Sequence, residues 1–399
     1  MTTRPRTPAR PPAPSEPSER RPARQAPVAA ALTPDGAPAP EPTPRRDPPD
    51  DHISRPLPRP EERPVLDRET SARLRYPFPT LANPHAAAMQ EYTDHVWIDG
   101  EWAQFVPPEI ADRFKKTRTA YMTSYFYPMA TWERLKPLAR MMLFSLYQDD
   151  IYERARPEVV RAVRERTVAV ARGHIGAREA DVMLGAQIET LRGELLHFLP
   201  AESLHRWAED LDLYFEGLEA EVTHLEAGSF PSVEEFLWIR ERALMLHAFF
   251  ALKEVETQVV LPSEIHDHPT VRKLKSLAVR LPGWFNEFQS YDKETRTGMG
   301  NLNLINVVRH ERSCSLVDAR EWVFRLHERE LGEFVEIQQN LPDFGTWHDA
   351  VANHIHHISF VVSGWRGVDA EISRYDPGTY ADRHRLAAAA HISRPQTMG

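Results

Sequence analysis

Cysteine is all but absent: Cys314 stands alone in 399 residues. One thiol excludes an intramolecular disulfide framework and leads us to expect a reducing, cytoplasmic setting. Long apolar runs are missing too. No stretch is long and apolar enough to span a bilayer, and the opening Met1-Thr2-Thr3-Arg4-Pro5 leads into no apolar signal segment, so neither a membrane span nor export is expected. Positive charge falls short of negative, with a formal net charge of −9, which argues against nucleic acid as a partner. Strand-type alternation is also lacking, and that leaves helix as the only regular structure to read.

What is present divides the chain unevenly. Residues 1–64 hold 19 of the 35 prolines and almost no large apolar side chain. Such a composition cannot bury enough surface to offset the entropy of ordering, so we expect a disordered Pro-rich tail. Its eleven arginines outnumber nine acidic residues by two, leaving −11 on the rest of the chain. We expect one helical domain over 65–380 and a flexible C-terminal tail over 381–399. Order is expected to begin near Arg75, in an extended entry, Tyr76-Pro77-Phe78-Pro79, with a turn at Asn83-Pro84 and a helical pattern through Trp97. Period 3.6 then predicts helices at roughly 109–117, 131–153, 158–172, 178–198, 203–227, 232–258, 269–280, 283–297, 302–311, 315–340 and 346–374. Pro157, Pro200, Pro231, Pro262, Pro282 and Pro342 fall between these segments, where proline starts or stops helices. The fold class is therefore all-α, a many-helix bundle with a lumen between facing helices.

Two stretches carry chemistry. Asn286, Ser290 and Glu294 are spaced by four residues, which puts an amide, a hydroxyl and a carboxylate on one helical face. A ridge of hard oxygen donors suits Mg2+ better than a thiol- or imidazole-loving metal. The other stretch is Asp149-Asp150-Ile151-Tyr152-Glu153, at the end of the apolar run Met141-Met142-Leu143-Phe144-Ser145-Leu146-Tyr147-Gln148. Two such ridges on one bundle would let three Mg2+ ions gather around a diphosphate. His354, His356 and His357 have no cysteine or carboxylate at ligand spacing and read as helix histidines, not a zinc site.

From Tyr76 to Tyr375 the chain resembles the bacterial class I terpene synthases. Asp149-Asp150-x-x-Glu153 is similar to that family's aspartate-rich motif; Asn286, Ser290, Lys293 and Glu294 are similar to its second metal motif. Arg240, 46 residues before Asn286, stands where the family keeps a diphosphate-sensing arginine, and Arg374-Tyr375 resembles its closing pair. The resemblance implies a class I helical bundle that ionises an isoprenyl diphosphate, farnesyl diphosphate first, with a methylated or plain C10 diphosphate as the alternative. Metal would be held by Asp149, Asn286, Ser290 and Glu294; whether Asp150 and Glu153 ligate it or orient Asp149 is left open. Arg240, Lys293, Arg374 and Tyr375 would meet the diphosphate. Phe144, Tyr147 and Phe285 are the candidate substrate contacts in the lumen, and Phe249, Phe250 and Phe360 read as core. The sequence departs from the family in places. Glu287 replaces an aspartate after Asn286, Glu241-Arg242-Ala243-Leu244 after Arg240 contains no helix-breaking glycine, and Trp365 lies further before Arg374 than the family's tryptophan.

Other classes stay in view. Chain elongation by a trans-prenyltransferase would want a second Asp-rich cluster in place of the Asn/Ser/Glu ridge, and a non-catalytic helical scaffold or cargo protein would bind neither Mg2+ nor diphosphate. A homodimer is a further expectation. Finally, His52-Ile53-Ser54-Arg55-Pro56 recurs verbatim as His391-Ile392-Ser393-Arg394-Pro395. A motif presented twice on flanking tails suits docking to a repetitive protein shell or scaffold, and coincidence stands level with that reading.

Overall fold

The structure, a computed structural model, describes residues 68–371 except 105 and 107. Both expected tails, the boundaries at 65 and 380, both copies of the repeated pentapeptide, and Arg374-Tyr375 lie outside the described residues. Among the described residues there are helices, turns and no strand.

The chain enters through α1 (Arg68–Arg73), a helix ahead of the expected start of order near Arg75, and then the expected extended stretch before α2 (Ala86–Tyr92). Helix α2 runs on into a π-helical segment, Thr93–Glu101. Asn83 fixes the turn that its pairing with Pro84 predicts. Its Nδ2 donates to the carbonyls of Tyr127 and Ala130 at 2.9 and 2.8 Å, and its Oδ1 accepts from the His85 amide at 3.0 Å. Next come α3 (Pro108–Thr117) and α4 (Thr119–Phe126). All eight residues of α4 are buried, so it has no polar face and no period to read in the sequence.

Helix α5 (Trp132–Tyr152) carries the first acidic cluster at its C-terminal end. Helix α6 (Pro157–Arg172) has proline at its first position and ends at Gly173, whose φ of 74° lets the chain turn off in the left-handed region. The segment expected at 178–198 is instead two helices, α7 (Ala177–Ala180) and α8 (Gly185–Leu195), because Asp181 turns to φ 49° between them. Helix α9 (Ala201–Ala227) follows and packs against α6.

The segment expected at 232–258 is likewise interrupted. It forms α10 (Val233–Ala243), with the Ser232 side chain capping the Glu235 amide, then α11 (Leu246–Ala251) and α12 (Lys253–Thr257). Met245 makes the break at φ 58°. A left-handed conformation costs a residue other than glycine roughly 1–2 kcal/mol. Burying the Met245 side chain, 3% exposed, contributes roughly 1.5–3 kcal/mol and offsets that cost. Below the break, Glu254 accepts from Ser203 Oγ at 2.7 Å and from the Leu261 amide at 2.9 Å, and lies 2.8 Å from His266 Nε2.

After α13 (Ser263–His266), the expected helices 269–280 and 283–297 prove to be one, α14 (Pro269–Arg296), with Pro282 inside it. An interior proline costs a helix about 3 kcal/mol. Here Leu281, Trp284, Phe285 and Phe288 are all buried around it, and at roughly 1.5–3 kcal/mol each their burial outweighs the lost hydrogen bond. The chain closes with α15 (Leu304–Arg312), capped by Asn303, α16 (Leu316–Gln339), capped by Ser315, and α17 (His348–Glu371). Helix α14 packs against α16 and α17, and α17 against α4. At Gly364 a Cβ would meet the Tyr125 carbonyl oxygen at 2.7 Å, so that close approach requires glycine. No helix among the described residues is long and apolar enough to cross a membrane.

Candidate active site

The acidic end of α5 and the Asn/Ser/Glu face of α14 meet across one cavity. Asp149 and Glu153 line it from α5, Asn286, Lys293 and Glu294 from α14, and Arg240 from α10. Carboxylate oxygens of Asp149, Asp150 and Glu153 lie within 4.8 Å of one another. Leu146, Tyr214, Leu244, Met245, Met299, Leu302 and Trp365 supply the apolar wall. A larger cleft of about 600 Å3 opens elsewhere, lined by Leu225, Phe230, Asn301, His310 and Cys314 among others, but no carboxylate lines it. The smaller cavity, about 130 Å3, is where the donors converge.

Arg240 knits this cavity together. Its Nε donates to Glu287 Oε1 at 2.6 Å, its Nη2 to Asn286 Oδ1 at 2.6 Å, and its Nη1 lies 3.5 Å from Glu221. Glu287 is fully buried, and its other oxygen accepts from the Leu304 amide at 2.7 Å. Asn303 completes the frame. Its Nδ2 donates to Glu294 Oε2 and to the Glu287 carbonyl, both at 2.9 Å. Ser290 Oγ donates back to the Asn286 carbonyl at 2.8 Å, which spends its proton and leaves its lone pairs available. On the other side Asp150 is buried and accepts from Arg113 Nη2 at 2.7 Å, tying α5 to α3.

Electrostatics in this enclosure favour a cation. Four carboxylates line the cavity, Asp149, Glu153, Glu221 and Glu294, against two bases, Arg240 and Lys293. Burial, above all, pushes Glu221 up to about 8, with Asp149 and Glu294 adding to the effect and Arg240 opposing it. Burial and then Glu287 raise Glu294 to about 7. Burial works against the charge of Arg240, but Glu287, Glu221 and Glu294 outweigh it and hold the guanidinium charged. A partly buried excess of hard oxygen donors fits a hard divalent cation.

Every described member of the expected metal and diphosphate set comes to this place. Asp149, Glu153, Arg240, Asn286, Lys293 and Glu294 line the cavity; Ser290 is buried one turn from Asn286; Asp150 stands behind them on Arg113. The expected substrate contacts do not. Phe144, Tyr147 and Phe285 are each at most 1% exposed and none lines the cavity. Tyr147 stacks on Phe114 and meets the edge of Trp102, so it belongs to the core beneath. The cavity aromatics are Tyr214 and Trp365, from α9 and α17. Sequence reasoning also missed Glu221 and Asn303. An acid on the otherwise apolar face made by Leu211, Tyr214, Leu218 and Val222 was the readable signal for Glu221. The missing glycine after Arg240 proves immaterial to the backbone, since Met245 breaks the helix there.

Comparison with known proteins agrees with this geometry. A family model described as terpene synthase family 2, C-terminal metal binding, matches residues 140–333. The chain is 28% identical over 333 residues to (+)-T-muurolol synthase, farnesyl diphosphate cyclizing, of Roseiflexus castenholzii, covering 82% of this chain and 99% of that one. It is 24% identical over 302 residues to 4-epi-cubebol synthase of Streptosporangium roseum, covering 75% and 90%. The crystal structure of germacradien-4-ol synthase from Streptomyces citricolor shares the fold, with a TM-score of 0.63 at 23% identity over 74% of this chain and 97% of that one. An all-α bundle with facing acidic helices around an apolar cavity is the class I terpenoid synthase architecture. Over most of its length the chain is similar to bacterial terpene synthases, and residues 140–333 match the terpene synthase family 2 metal-binding model.

Proposed function

We propose that this protein is a Mg2+-dependent terpene cyclase that ionises farnesyl diphosphate, closes the resulting carbocation to a cyclic terpene and releases diphosphate. The observation that carries this reading is the convergence of the α5 cluster, the α14 ridge and Arg240 on one cavity with an apolar wall. Relatives whose names state farnesyl diphosphate cyclisation support the fifteen-carbon substrate.

Asp149, Asn286, Ser290 and Glu294 are the residues that would hold magnesium, probed as a set of three ions, with Glu153 beside Asp149 and Asp150 as the positioning group that ties the α5 end to Arg113. Magnesium supplies Lewis acidity to the leaving diphosphate. Arg240 and Lys293 contribute charge-assisted hydrogen bonds to the same group, and the Arg374-Tyr375 pair is assigned the closing contact. Tyr214 and Trp365 offer π faces to a carbocation, worth roughly 0.5–2 kcal/mol each. Leu146, Leu244, Met245, Met299 and Leu302 keep water from it. At about 130 Å3 the cavity is of a size that takes a benzene-like guest. A fifteen-carbon chain therefore requires it to widen, and the unbranched, flexible Met245 and Met299 are the side chains best able to yield.

The test is incubation of the full chain with C10, 2-methylated C10, C15 and C20 diphosphates, with Mg2+ or with chelator, read by gas chromatography and mass spectrometry. A cyclic C15 product that appears only with Mg2+ is expected. Product from a C10 substrate alone moves the assignment to that class; release of no terpene hydrocarbon or alcohol from any of them overturns the reading. For the repeated pentapeptide we propose docking to a repetitive protein shell or scaffold, with Ile53 and Ile392 as anchors. Changing each to Asp should weaken retention of a co-purifying shell protein and changing both should abolish it; equal retention by the double variant sinks the idea.

A further inference from the structure

Asn286 Oδ1 is the oxygen that the α14 ridge would offer to a metal, and in this structure Arg240 Nη2 donates to it at 2.6 Å. The other two ridge oxygens are held differently. Ser290 Oγ bonds a backbone carbonyl, and Glu294 Oε2 accepts from Asn303 while the carboxylate has a second oxygen to give. Only at Asn286 does a cationic side chain sit on the ligand atom itself. A divalent ion seeking that oxygen would have to displace the N–H that it already accepts.

We propose that Arg240 acts as an interlock on the Asn286 metal position: while it donates to Asn286 Oδ1 no divalent ion takes that oxygen, and a diphosphate that draws Nη2 away opens the position. The geometry supplies a pivot. Arg240 Nε is anchored 2.6 Å from Glu287 Oε1, and Glu287 is itself pinned by the Leu304 amide, so the far end of the guanidinium can turn while its near end stays. Nη1 at 3.5 Å from Glu221 makes a looser contact, which a phosphate oxygen can replace. Metal would thus fill the α14 ridge only when diphosphate is present, and an empty cavity would not hold a full cation set. The inference rests on the reading of this cavity as a diphosphate site.

The experiment measures Mn2+ binding, not turnover, by electron paramagnetic resonance on the full chain without substrate. Wild type is compared with Arg240→Lys, which keeps the charge but loses the fork, and Arg240→Met, which loses both. Both variants are expected to bind Mn2+ about 10-fold or more tighter than wild type, and Asn286→Ala in the Arg240→Lys background is expected to erase the gain. Adding inorganic diphosphate should give wild type the additional Mn2+ that the Lys variant binds without it. A gain in the Met variant alone would mean plain charge repulsion and overturn the interlock, as would no gain in either or a gain that survives Asn286→Ala. Arg240→Lys retains a positive charge opposite buried Glu287, so it carries the test if the Met variant does not fold. Failure of the cyclase reading is separable: it shows as no turnover of any isoprenyl diphosphate by wild type, whatever Mn2+ does.

Discussion

Glu221 projects from α9 into the cavity near Asp149, Glu294 and Arg240, and burial above all raises its carboxyl to about 8, well above the range of an exposed glutamate. The folded chain therefore keeps a proton that the unfolded chain releases above about pH 4.5. Stability falls as pH rises from about 4.5 to 8, since the folded state binds more protons throughout that window. Replacing the acid with its neutral isostere removes this penalty. In chelator at pH 7, Glu221→Gln should raise the thermal midpoint, by a free energy on the order of a few kcal/mol, and the difference should shrink toward zero at pH 4.5 in scanning calorimetry. The ridge residues obey another logic. Asn286 and Glu294 turn polar oxygens to the cavity and add no apolar surface to the core; Asn286→Ala or Glu294→Ala should cut Mg2+-dependent diphosphate release by at least about 100-fold, the upper end of what losing a mere supporting group costs. Helix content by circular dichroism should stay near wild type, and wild-type turnover in either variant would remove them from the metal set.

Between α10 and α14, two local rules give way to packing. The helix break at Met245 places Leu244 against Gly283 of α14, where an added Cβ would come within 2.7 Å of Leu244 Cδ1. Gly283→Ala should therefore push the Leu244 side chain aside, an overpacking cost near the low end of roughly 1–3 kcal/mol, of which about 1 kcal/mol is offset by the better helix propensity of alanine. Leu244→Val in the same chain should recover part of that loss, and a double-mutant cycle by denaturant titration measures the coupling. Additive effects would mean that the two helices move apart instead. Leu244 also lines the cavity, so the same pair should alter the product mixture. The substitution reads the fold and the chemistry at once.

For the molecule as a whole, the residues assigned to metal and diphosphate lie on α5, α10 and α14 and in the Arg374-Tyr375 pair, and none lies in the first 64 residues. Deleting residues 1–64 should leave in vitro cyclisation within about two-fold of the full chain, since such a Pro-rich segment adds nothing to a helical core. A truncated chain that folds, by circular dichroism, and yet fails to turn over would show that the head completes the site. Part of the formal −11 outside the head falls on one cavity, where Asp149, Glu153, Glu221 and Glu294 crowd together.

By itself the sequence determined the helical class and the two ridges of oxygen donors, because period 3.6 and four-residue spacing are local properties that survive without neighbours. Asn286, Ser290 and Glu294 share a face in any helix, and Asp149 and Glu153 stand one turn apart wherever α5 is placed. It did not determine where helices stop when the reason is packing. Met245 turns left-handed and Pro282 stays inside α14 because burial of their surroundings outweighs their intrinsic preferences, a balance visible only once the partners are in place. Nor could periodicity separate core aromatics from cavity aromatics. Phe144, Tyr147 and Phe285 lie on the same apolar faces that a lumen would need, and only the arrangement of helices turns them to the core while bringing Tyr214 and Trp365 to the cavity. The contact of Arg240 with Asn286 is likewise tertiary: 46 residues separate them in the chain, and the packing of α10 on α14 closes that distance to a hydrogen bond.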